Sequence, residues 1–521
     1  MPRPLLPHAV LAPAFAAVLG LASLPCAAAG TLVAAVPADP QHFNGAITTA
    51  SHTHAVADSI FSGLVALDRQ GQPQPDLASA WEISADGRRV SFKLAPHARW
   101  HDGQPVTADD VRFSFESVLL KHHARTASGL APVIEAIETP DVHTVVFRLK
   151  RAYAPLLAQL DVTEAPILPR HIYGGDDILK HPANLKPVGS GPFRFKEHRR
   201  DDRVVLERNP DYFKPGRPLL DRLVFRVLPD ARSQVAALTR GEVDFVRGVA
   251  GPEVAALERH PRLAVDRVSA GPGGGNCVMS WVFNLDRPAL ADVNRRRALA
   301  QAIDRQRIAR DVIFGQGRVA AAPIASGIAF AHAPDALKSL TFDPAASAAA
   351  LTKTRLDPDA KGVRLTLDVV HFPQFSRYAE ALRQDLAAVG VTLAARPLDR
   401  AAAVDAIYMK RDFDTALVSY CQGADPEIGA RRMYVSSAIG PVPFSNGAGW
   451  RNAAVDRLFD RGVTTVDAAQ RGAAYREAQA LIVREMPYLW LVETDFPVAW
   501  SRDFDGFAPW RGAFAESVNR R

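Results

Sequence analysis

Hydroxyl and imidazole side chains cluster in one short segment, Thr49–His54, which follows the first predicted strand and precedes a helical pattern. Hydroxyls and N–H groups at the start of a helix suit an anionic or carbonyl group of a ligand. Thr49 or Ser51 is also explained as an ordinary N-cap. His52 and His54 alternate, so they are either a pair that binds a metal chelate or two solvent-exposed rings.

A second set of polar side chains follows the predicted strand 413–419. The loop contains Tyr420, Asp425 and Glu427, and α/β proteins bind ligands in loops at the carboxyl ends of strands. Asp425 is equally explained as the residue that closes an Asp-Pro turn. Arg431, further along, could meet a ligand carboxylate or belong to a solvated helix face.

The third candidate group lies on the strand-like run Cys277–Leu285, which contains Trp281 and Asn284. An aromatic ring at this place either packs on a ligand side chain or fills a hydrophobic core. The sequence favours neither alternative.

The chain lacks the short motifs of common enzyme active sites. It has no G-x-S-x-G elbow and no H-E-x-x-H helix, and Gly271–Gly275 lacks the Lys-Ser/Thr ending of a phosphate-binding loop. We therefore predict a protein without enzymatic activity and without a cofactor. A secreted hydrolase is the alternative from a different class.

The composition is that of a globular protein with material for about three domains. The 521 residues include 62 basic and 56 acidic side chains, and the formal net charge is +6. The basic runs are short and have no interleaved aromatic residues. This pattern argues against a nucleic-acid partner.

The first 29 residues predict a secretory signal peptide. Arg3 is their only charged residue, Ala9–Leu24 is apolar, and Ala27–Ala29 supply the small side chains that a signal peptidase needs. The apolar run is too short for a spanning helix. Pro25 makes a poor lipobox before Cys26, so we predict a soluble periplasmic protein rather than one with a lipid anchor at Cys26.

Two cysteines remain after the predicted cleavage, Cys277 and Cys421. An oxidising periplasm would allow them to form a disulfide. Two buried thiols are the slightly favoured interpretation, and the sequence leaves the pairing open. No C-x-x-C motif or Cys/His cluster indicates a metal site.

Strand and helix patterns alternate along the chain, which predicts an α/β protein. Thr144–Lys150 alternates like a half-buried strand. Asp230 and Gly241 bracket a predicted helix between two strands. The glycine-rich break at Gly271–Gly275 is followed by a fresh α/β pattern, so a new structural unit begins there.

The most specific pattern of the chain lies at residues 77–120, LASAWEISADGRRVSFKLAPHARWHDGQPVTADDVRFSFESVLL. It predicts two short strands around the Asp86-Gly87 turn. A helix follows, which Thr107 begins and Asp110 supports as in a capping box. All of these features are structural and none requires a catalytic group.

In this order, the residues of 77–120 resemble the bacterial extracellular solute-binding proteins of family 5, the peptide- and nickel-type receptors of ABC importers. Phe283-Asn284 and the run RALAQAIDR at 297–305 match the family as well. The resemblance extends over essentially the whole mature chain.

The resemblance implies a two-lobed α/β periplasmic binding protein (Venus flytrap) fold with two crossing hinge strands. Lobe 1 would comprise residues 30–270, with an extra subdomain at about 73–184. Lobe 2 would comprise 271–487, and 488–521 would return to lobe 1. Such a fold closes around its ligand, and closure is the signal that an importer reads.

The resemblance also implies that the three candidate groups face the cleft between the lobes. Peptide-binding members of the family hold the α-ammonium of the ligand with an acid a few residues before an Asp-Pro pair. Positions 420–424 contain no acid, so Asp425 or Glu427 would have to serve. The predicted ligand-binding residues are Thr49, Ser51, His52, Trp281, Asn284, Tyr420, Asp425 and Arg431.

These observations together predict the periplasmic substrate-binding component of an ABC importer. It would capture a small peptide or peptide-like solute and deliver it to the transmembrane permease subunits. We expect a monomer that holds no metal. The alternative is a metal-chelate, nickel-type binding protein, which requires that His42, His52 and His54 converge.

Overall fold

The computed structural model describes residues 30–175, 177–268, 276–508 and 512–521. The predicted signal peptide and the Gly271–Gly275 run lie outside the described residues. The strands are β1 Thr31–Val36, β2 Val65–Leu67, β3 Pro73–Pro75, β4 Ala78–Ile83, β5 Arg89–Leu94, β6 Ile134–Asp141, β7 Thr144–Leu149, β8 Phe193–Arg199, β9 Arg203–Arg208, β10 Arg222–Val227, β11 Phe245–Arg247, β12 Leu263–Val268, β13 Cys277–Phe283, β14 Gly317–Val319, β15 Leu365–His371, β16 Val391–Pro397, β17 Thr415–Cys421, β18 Tyr488–Thr494, β19 Phe496–Ser501, β20 Phe504–Asp505 and β21 Asn519–Arg520.

Helices connect and cover these strands, and most are short. The α-helices are α1 Ser51–Ala57, α2 Ala108–Phe113, α3 Leu120–His122, α4 Ala124–Leu130, α5 Arg170–Tyr173, α6 Ala231–Arg240, α7 Gly251–Glu258, α8 Pro288–Ala291, α9 Val293–Gln301, α10 Arg305–Arg307, α11 Pro344–Lys353, α12 Ser376–Ala387, α13 Arg400–Val404, α14 Arg431–Tyr434, α15 Ala453–Thr464 and α16 Ala468–Glu485. Residues 45–47, 157–159, 182–184, 373–375 and 436–438 form 3₁₀ turns, and 114–119, 308–312 and 405–409 form π turns. Within the described ranges, no helix is both long and apolar enough to cross a bilayer.

Two large mixed sheets form the two lobes. The first has the strand order β12-β19-β11-β1-β10-β9-β8, and the second has the order β14-β18-β13-β17-β15-β16. A separate hydrophobic core packs around each sheet. The predicted two-lobed α/β fold is therefore confirmed.

The chain passes between the two sheets twice. It leaves the first sheet after β12 and enters the second at β13, and it returns between β18 and β19, at Asp495. The return was predicted at residue 488. The structure places it later because β18 pairs with β13 and β14 inside the second sheet.

A smaller four-stranded sheet, β4-β5-β7-β6, forms an additional unit attached to the first lobe. Its helix α2 begins as the sequence predicts. The Asp110 carboxylate accepts hydrogen bonds from the Thr107 backbone N–H at 2.8 Å and from the Thr107 hydroxyl at 2.9 Å. Asp110 also accepts a hydrogen bond from the Arg170 backbone N–H at 2.8 Å, so one buried acid holds both the start of α2 and the start of α5.

Cys277 and Cys421 form a disulfide bond. The favoured prediction of two free buried thiols is therefore wrong. The reason is tertiary: β13 and β17 run antiparallel in a register that places the two cysteines directly opposite each other. The bond links the end of the first crossing to the strand that precedes the 420–427 loop.

The two lobes touch each other away from the crossing strands. The Ala154 backbone N–H, in the first lobe, donates to the Val463 carbonyl, in the second, at 3.0 Å. Val463 is fully buried and packs against the core of the first lobe. The lobes are therefore in contact at a second place besides the crossing strands.

Replacing both Cys277 and Cys421 by alanine should lower the free energy of unfolding by about 2–5 kcal/mol, because the bond constrains a long loop in the unfolded chain. The two residues are 144 positions apart. Guanidinium unfolding with and without a reductant measures the effect. Reductant should shift the wild-type midpoint and leave the double variant unchanged, and equal wild-type midpoints would contradict the disulfide.

Candidate functional site

A cavity of about 320 Å³ lies in the first lobe, beside the ends of two parallel strands. Because β1 and β11 run parallel, their carboxyl ends meet at one edge of the sheet, which is where open α/β sheets bind ligands. The volume is near the lower end of the roughly 300–1,000 Å³ found for small-ligand sites. Its lining residues are Ala34, Ala35, Val36, Pro37, Thr49, Ser51, His52, His54, Ala55, Asp58, Arg125, Thr163, Phe225, Phe245, Arg247, Gly512 and Phe514.

A buried ion pair lies in the wall of the cavity. His54 Nδ1 is 2.9 Å from Asp58 Oδ1, and His54 Nε2 is 2.9 Å from the Thr48 carbonyl oxygen. Thr163 donates its hydroxyl to Asp58 Oδ2 at 2.7 Å. Because a carbonyl and a carboxylate can only accept, both ring nitrogens of His54 donate and the ring is an imidazolium. Asp58 is therefore neutralised inside the protein.

The pKa of His54 agrees with this assignment. Burial alone would lower it, but the charge of Asp58 and the hydrogen bonds to Asp58 and Thr48 raise the pKa of His54 above its usual value. The raised pKa means that the pair stabilises the fold fully below pH 6.5. The stabilisation is lost as the pH rises through the folded-state pKa.

Two arginines of the first lobe line the same cavity. Arg125 donates through Nε to both oxygens of Glu164, at 3.1 and 2.9 Å. Arg247 is the last residue of β11, is exposed and lines the cavity. Among the described residues, no hydrogen bond or ion pair engages the Arg247 guanidinium.

The described residues that line the cavity all belong to the first lobe, which includes the returning C-terminal segment. Arg432, on α14, is exposed. Enclosure by the surrounding protein lowers the pKa of Arg432, and the positive charge of Arg125 lowers it further.

Three predicted ligand-binding residues line the cavity: Thr49, Ser51 and His52. The alternative of a simple N-cap does not hold for Thr49 or Ser51. Ala50 occupies the N-cap position of α1, and no side chain caps that helix. The two hydroxyls therefore remain available to the cavity.

Three other predicted residues are internal to the second lobe: Trp281, Asn284 and Tyr420 are all buried. Asn284 donates to the Phe413 carbonyl at 2.8 Å, and the Tyr420 hydroxyl lies 3.0 Å from that of Tyr408. Trp281 is on β13 and Tyr420 is on β17, and both strands lie in the middle of the second sheet, where β13 is buried along its whole length. These side chains support the sheet and do not reach the cavity.

Asp425 and Arg431 are engaged in ion pairs within the second lobe. Asp425 is 4% exposed, and its Oδ2 lies 2.5 Å from Arg471 Nη2. Arg431 pairs with Asp460 at 2.6 Å, and its Nε lies 3.6 Å from Glu427. Arg471 therefore already neutralises Asp425. This internal cation competes with the predicted role of Asp425 in binding a ligand ammonium.

Sequence reasoning missed several residues that line the cavity. Arg247 carried a usable signal, since it is the last residue of a strand and the carboxyl-end rule applies to it as to the 420–427 loop. Arg125 and Phe514 carried none, because they reach the cavity from distant parts of the chain.

Burial lowers the pKa of His42, and the charges of His52 and His54 lower it further, but two of these three rings already have partners within the protein. Both ring nitrogens of His54 are occupied, and His42 Nδ1 accepts the Asn44 backbone N–H at 3.2 Å. In the part of the chain that the structure describes, no three His, Cys, Asp or Glu side chains are grouped to hold a metal ion.

The two lobes, the double crossing and the cavity at the strand ends are those of a solute-binding protein. The chain belongs to the bacterial extracellular solute-binding proteins, family 5, whose family model matches residues 72–440. The resemblance carried by residues 77–120 is thereby confirmed.

Comparisons over the whole chain agree with the family assignment. The chain is 28% identical over 520 residues to di/tripeptide-binding protein 2 of Pseudomonas aeruginosa, covering 94% of this chain and 93% of that protein. HbpA2 from Haemophilus parasuis has the same fold, with a TM-score of 0.83 and 21% identity over 94% of this chain and 100% of that one. A dipeptide-binding protein of a Pseudoalteromonas species, solved in complex with Met-Leu, has a TM-score of 0.75 and 23% identity over the same shares.

The His54–Asp58 pair gives a spectroscopic prediction. At pH 6.5, more than half of the His54 rings should carry both protons, because the pKa lies above that value. Nitrogen-15 NMR of labelled histidine measures the protonation. His123, whose pKa burial lowers to about 4, should be neutral in the same spectrum. Asp58→Asn should return His54 to the neutral ring, and a neutral wild-type His54 would contradict the pairing.

Asp425→Asn should destabilise the fold by about 3–5 kcal/mol, because it leaves the buried Arg471 without its counter-ion. Chemical unfolding followed by tryptophan fluorescence measures the loss. The matched control is Asp460→Asn, which removes an exposed partner of Arg431 and should cost no more than about 1 kcal/mol. Equal effects of the two substitutions would contradict an internal role for Asp425.

Proposed function

We propose that this protein is the periplasmic substrate-binding component of an ABC importer, and that it captures a small peptide or peptide-like solute. The observation that carries the proposal is the cavity at the carboxyl ends of β1 and β11, in the first of two lobes that are joined by two crossings. The similarity to a di/tripeptide-binding protein over nearly the whole chain supports the class of solute.

Thr49, Ser51 and His52 act as ligand contacts from the first lobe. Their side chains, with the backbone of residues 34–37 at the strand end, offer the hydrogen-bonding groups that a short peptide needs. The aromatic floor of Phe245 and Phe514 accommodates apolar parts of the solute. A cavity of about 320 Å³ favours a solute of two or three residues over a long peptide.

Binding and closure are coupled in this proposal. A solute that contacts both lobes stabilises the closed form over the open one, and only that difference in affinity shifts the population. A micromolar receptor has about 8 kcal/mol of binding free energy available for this purpose. The permease subunits then recognise the closed form, and the solute is handed over intact, since no covalent step is involved.

Di- and tripeptides should bind to the protein after bound solute has been removed by unfolding and refolding. Isothermal titration calorimetry measures the affinity, and X-ray scattering should show a smaller radius of gyration in the complex. Mass spectrometry of the released solute should return the intact peptide. Cleaved peptide would favour the hydrolase, and a failure of all short peptides to bind would overturn the proposal.

Ser51→Trp should abolish peptide binding without loss of stability, because the indole fills the cavity from an exposed position. Thr392→Trp is the matched control, since it adds the same bulk to an exposed position of β16 in the second lobe. Peptide binding by Ser51→Trp at the wild-type affinity would remove this cavity from the site.

A further inference from the structure

The two lobes meet where the segment after β7 touches the end of α15. The Ala154 backbone N–H, in the first lobe, donates to the Val463 carbonyl at 3.0 Å. The Val463 side chain is fully buried and packs in the hydrophobic core of the first lobe, although α15 belongs to the second. Neither residue belongs to a crossing strand. A side chain of one lobe is thus buried by the other lobe.

The tight turn between β4 and β5 belongs to the same contact. Gly87 has a φ of 66°, and its backbone N–H donates to the Ser84 carbonyl at 2.8 Å. A Cβ atom at Gly87 would lie 3.0 Å from Val466 Cγ2, so the second lobe lies directly against this turn. The Asp86-Gly87 pair, which the sequence predicts as a hairpin turn, is therefore also part of the surface between the lobes.

The end of α15 is held in place inside its own lobe. Arg471 donates through Nε to the Gly462 carbonyl at 2.6 Å and through Nη2 to Asp425 Oδ2 at 2.5 Å. The loop that follows β17 and the residue before Val463 are therefore fixed to each other. Fraying of the helix end would break these buried hydrogen bonds, so the exposure of Val463 to solvent requires separation of the lobes.

Another contact between the lobes lies beside the return crossing. A Cβ atom at Gly251, at the start of α7, would lie 3.2 Å from Gln316 Cγ and 3.3 Å from Phe314 Cδ2. The Gln316 carbonyl accepts a hydrogen bond at 3.2 Å from the backbone N–H of Asp495, at the crossing itself. A hinge motion leaves a contact at the crossing nearly in place, whereas a contact away from the crossings opens when the lobes separate.

We propose that the end of α15 forms a latch, which docks on the first lobe when the protein closes on its solute and leaves it when the protein opens. The latch consists of Val463 and Val466. This inference rests on the proposed function for its dependence on solute. The buried Val463 side chain and the hydrogen bond from Ala154 stabilise only the docked form, so they favour closure. The affinity for a solute then depends on residues that do not touch it.

Thiol labelling measures the docking directly, because Cys277 and Cys421 are bonded to each other and do not react. Val463→Cys places one free thiol in the latch, and Val455→Cys is the matched control. Both valines are fully buried on α15, but Val455 packs in the core of its own lobe. Without solute, N-ethylmaleimide should modify the Val463→Cys thiol about tenfold or more faster than the Val455→Cys thiol, because separation of the lobes exposes only the former.

Bound solute should slow the reaction at the latch. The dipeptides Ala-Ala and Met-Leu serve as probes on the full mature protein, and calorimetry verifies that they bind. A bound dipeptide should slow the modification of Val463→Cys by about threefold or more and leave that of Val455→Cys unchanged, because it shifts the population toward the docked form. Thermal unfolding verifies that each variant is folded.

A second variant weakens the latch from its exposed side. Val466→Asp, introduced together with Val463→Cys, should raise the labelling rate about threefold or more, because the carboxylate loses hydration against Gly87. Val442→Asp is the matched control, since Val442 is 57% exposed and Val466 is 52% exposed in the same lobe. The control should leave the labelling rate unchanged.

The outcomes separate the latch from the proposed function. Equal labelling of Val463→Cys and Val455→Cys without solute overturns the latch, because the contact is then permanent. Labelling that a bound dipeptide does not slow, or that Val466→Asp does not raise, also overturns it. Failure of both dipeptides to bind counts against the proposed function instead, while the comparison of the two thiols and the effect of Val466→Asp still decide whether the latch opens.

Discussion

The double crossing of the chain between two sheets is the constraint on which the rest of the structure depends. β12 and β19 are neighbours in the first sheet, while β13 and β18 are neighbours in the second. The lobes are therefore joined by two adjacent strands, and each lobe keeps its own core. This arrangement permits the lobes to move as bodies without unpacking either core.

Internal ion pairs determine the electrostatic character of the cleft. A buried acid is costly without a partner, so the fold supplies His54 for Asp58 and Arg471 for Asp425. These pairs are satisfied within one lobe and are independent of a ligand. The cavity wall also contains polar groups that these pairs do not use, among them the hydroxyls of Thr49 and Ser51 and the guanidinium of Arg247.

Much of the fold could be predicted because it depends on local chemistry. Asp230 and Gly241 do bound a helix, with Gly241 in the left-handed conformation at φ 76°. The helix supported by Thr107 and Asp110 begins where the capping pattern places it. The return of the chain to the first lobe was predicted too early. The sequence of β18 predicts a strand, but it does not show which sheet the strand joins, because its partners are distant in the chain.

The candidate site was predictable only in part, for a reason of geometry. The position of Thr49, Ser51 and His52 at the cavity was predictable, because a helix start that follows the end of a strand can be recognised from a few residues. Trp281 and Tyr420 have the types of ligand-binding residues, but burial is decided by neighbouring strands that lie far away in sequence.

The sequence by itself determined the family, the α/β class and the positions of most strands and helices, because caps, turns and periodicity act over distances of a few residues. Only the tertiary structure decided which charged groups form ion pairs with each other and which line the cavity. It also decided that Cys277 and Cys421 are bonded. Both outcomes depend on which distant segments become neighbours, and pairing between distant segments leaves no local pattern in the chain.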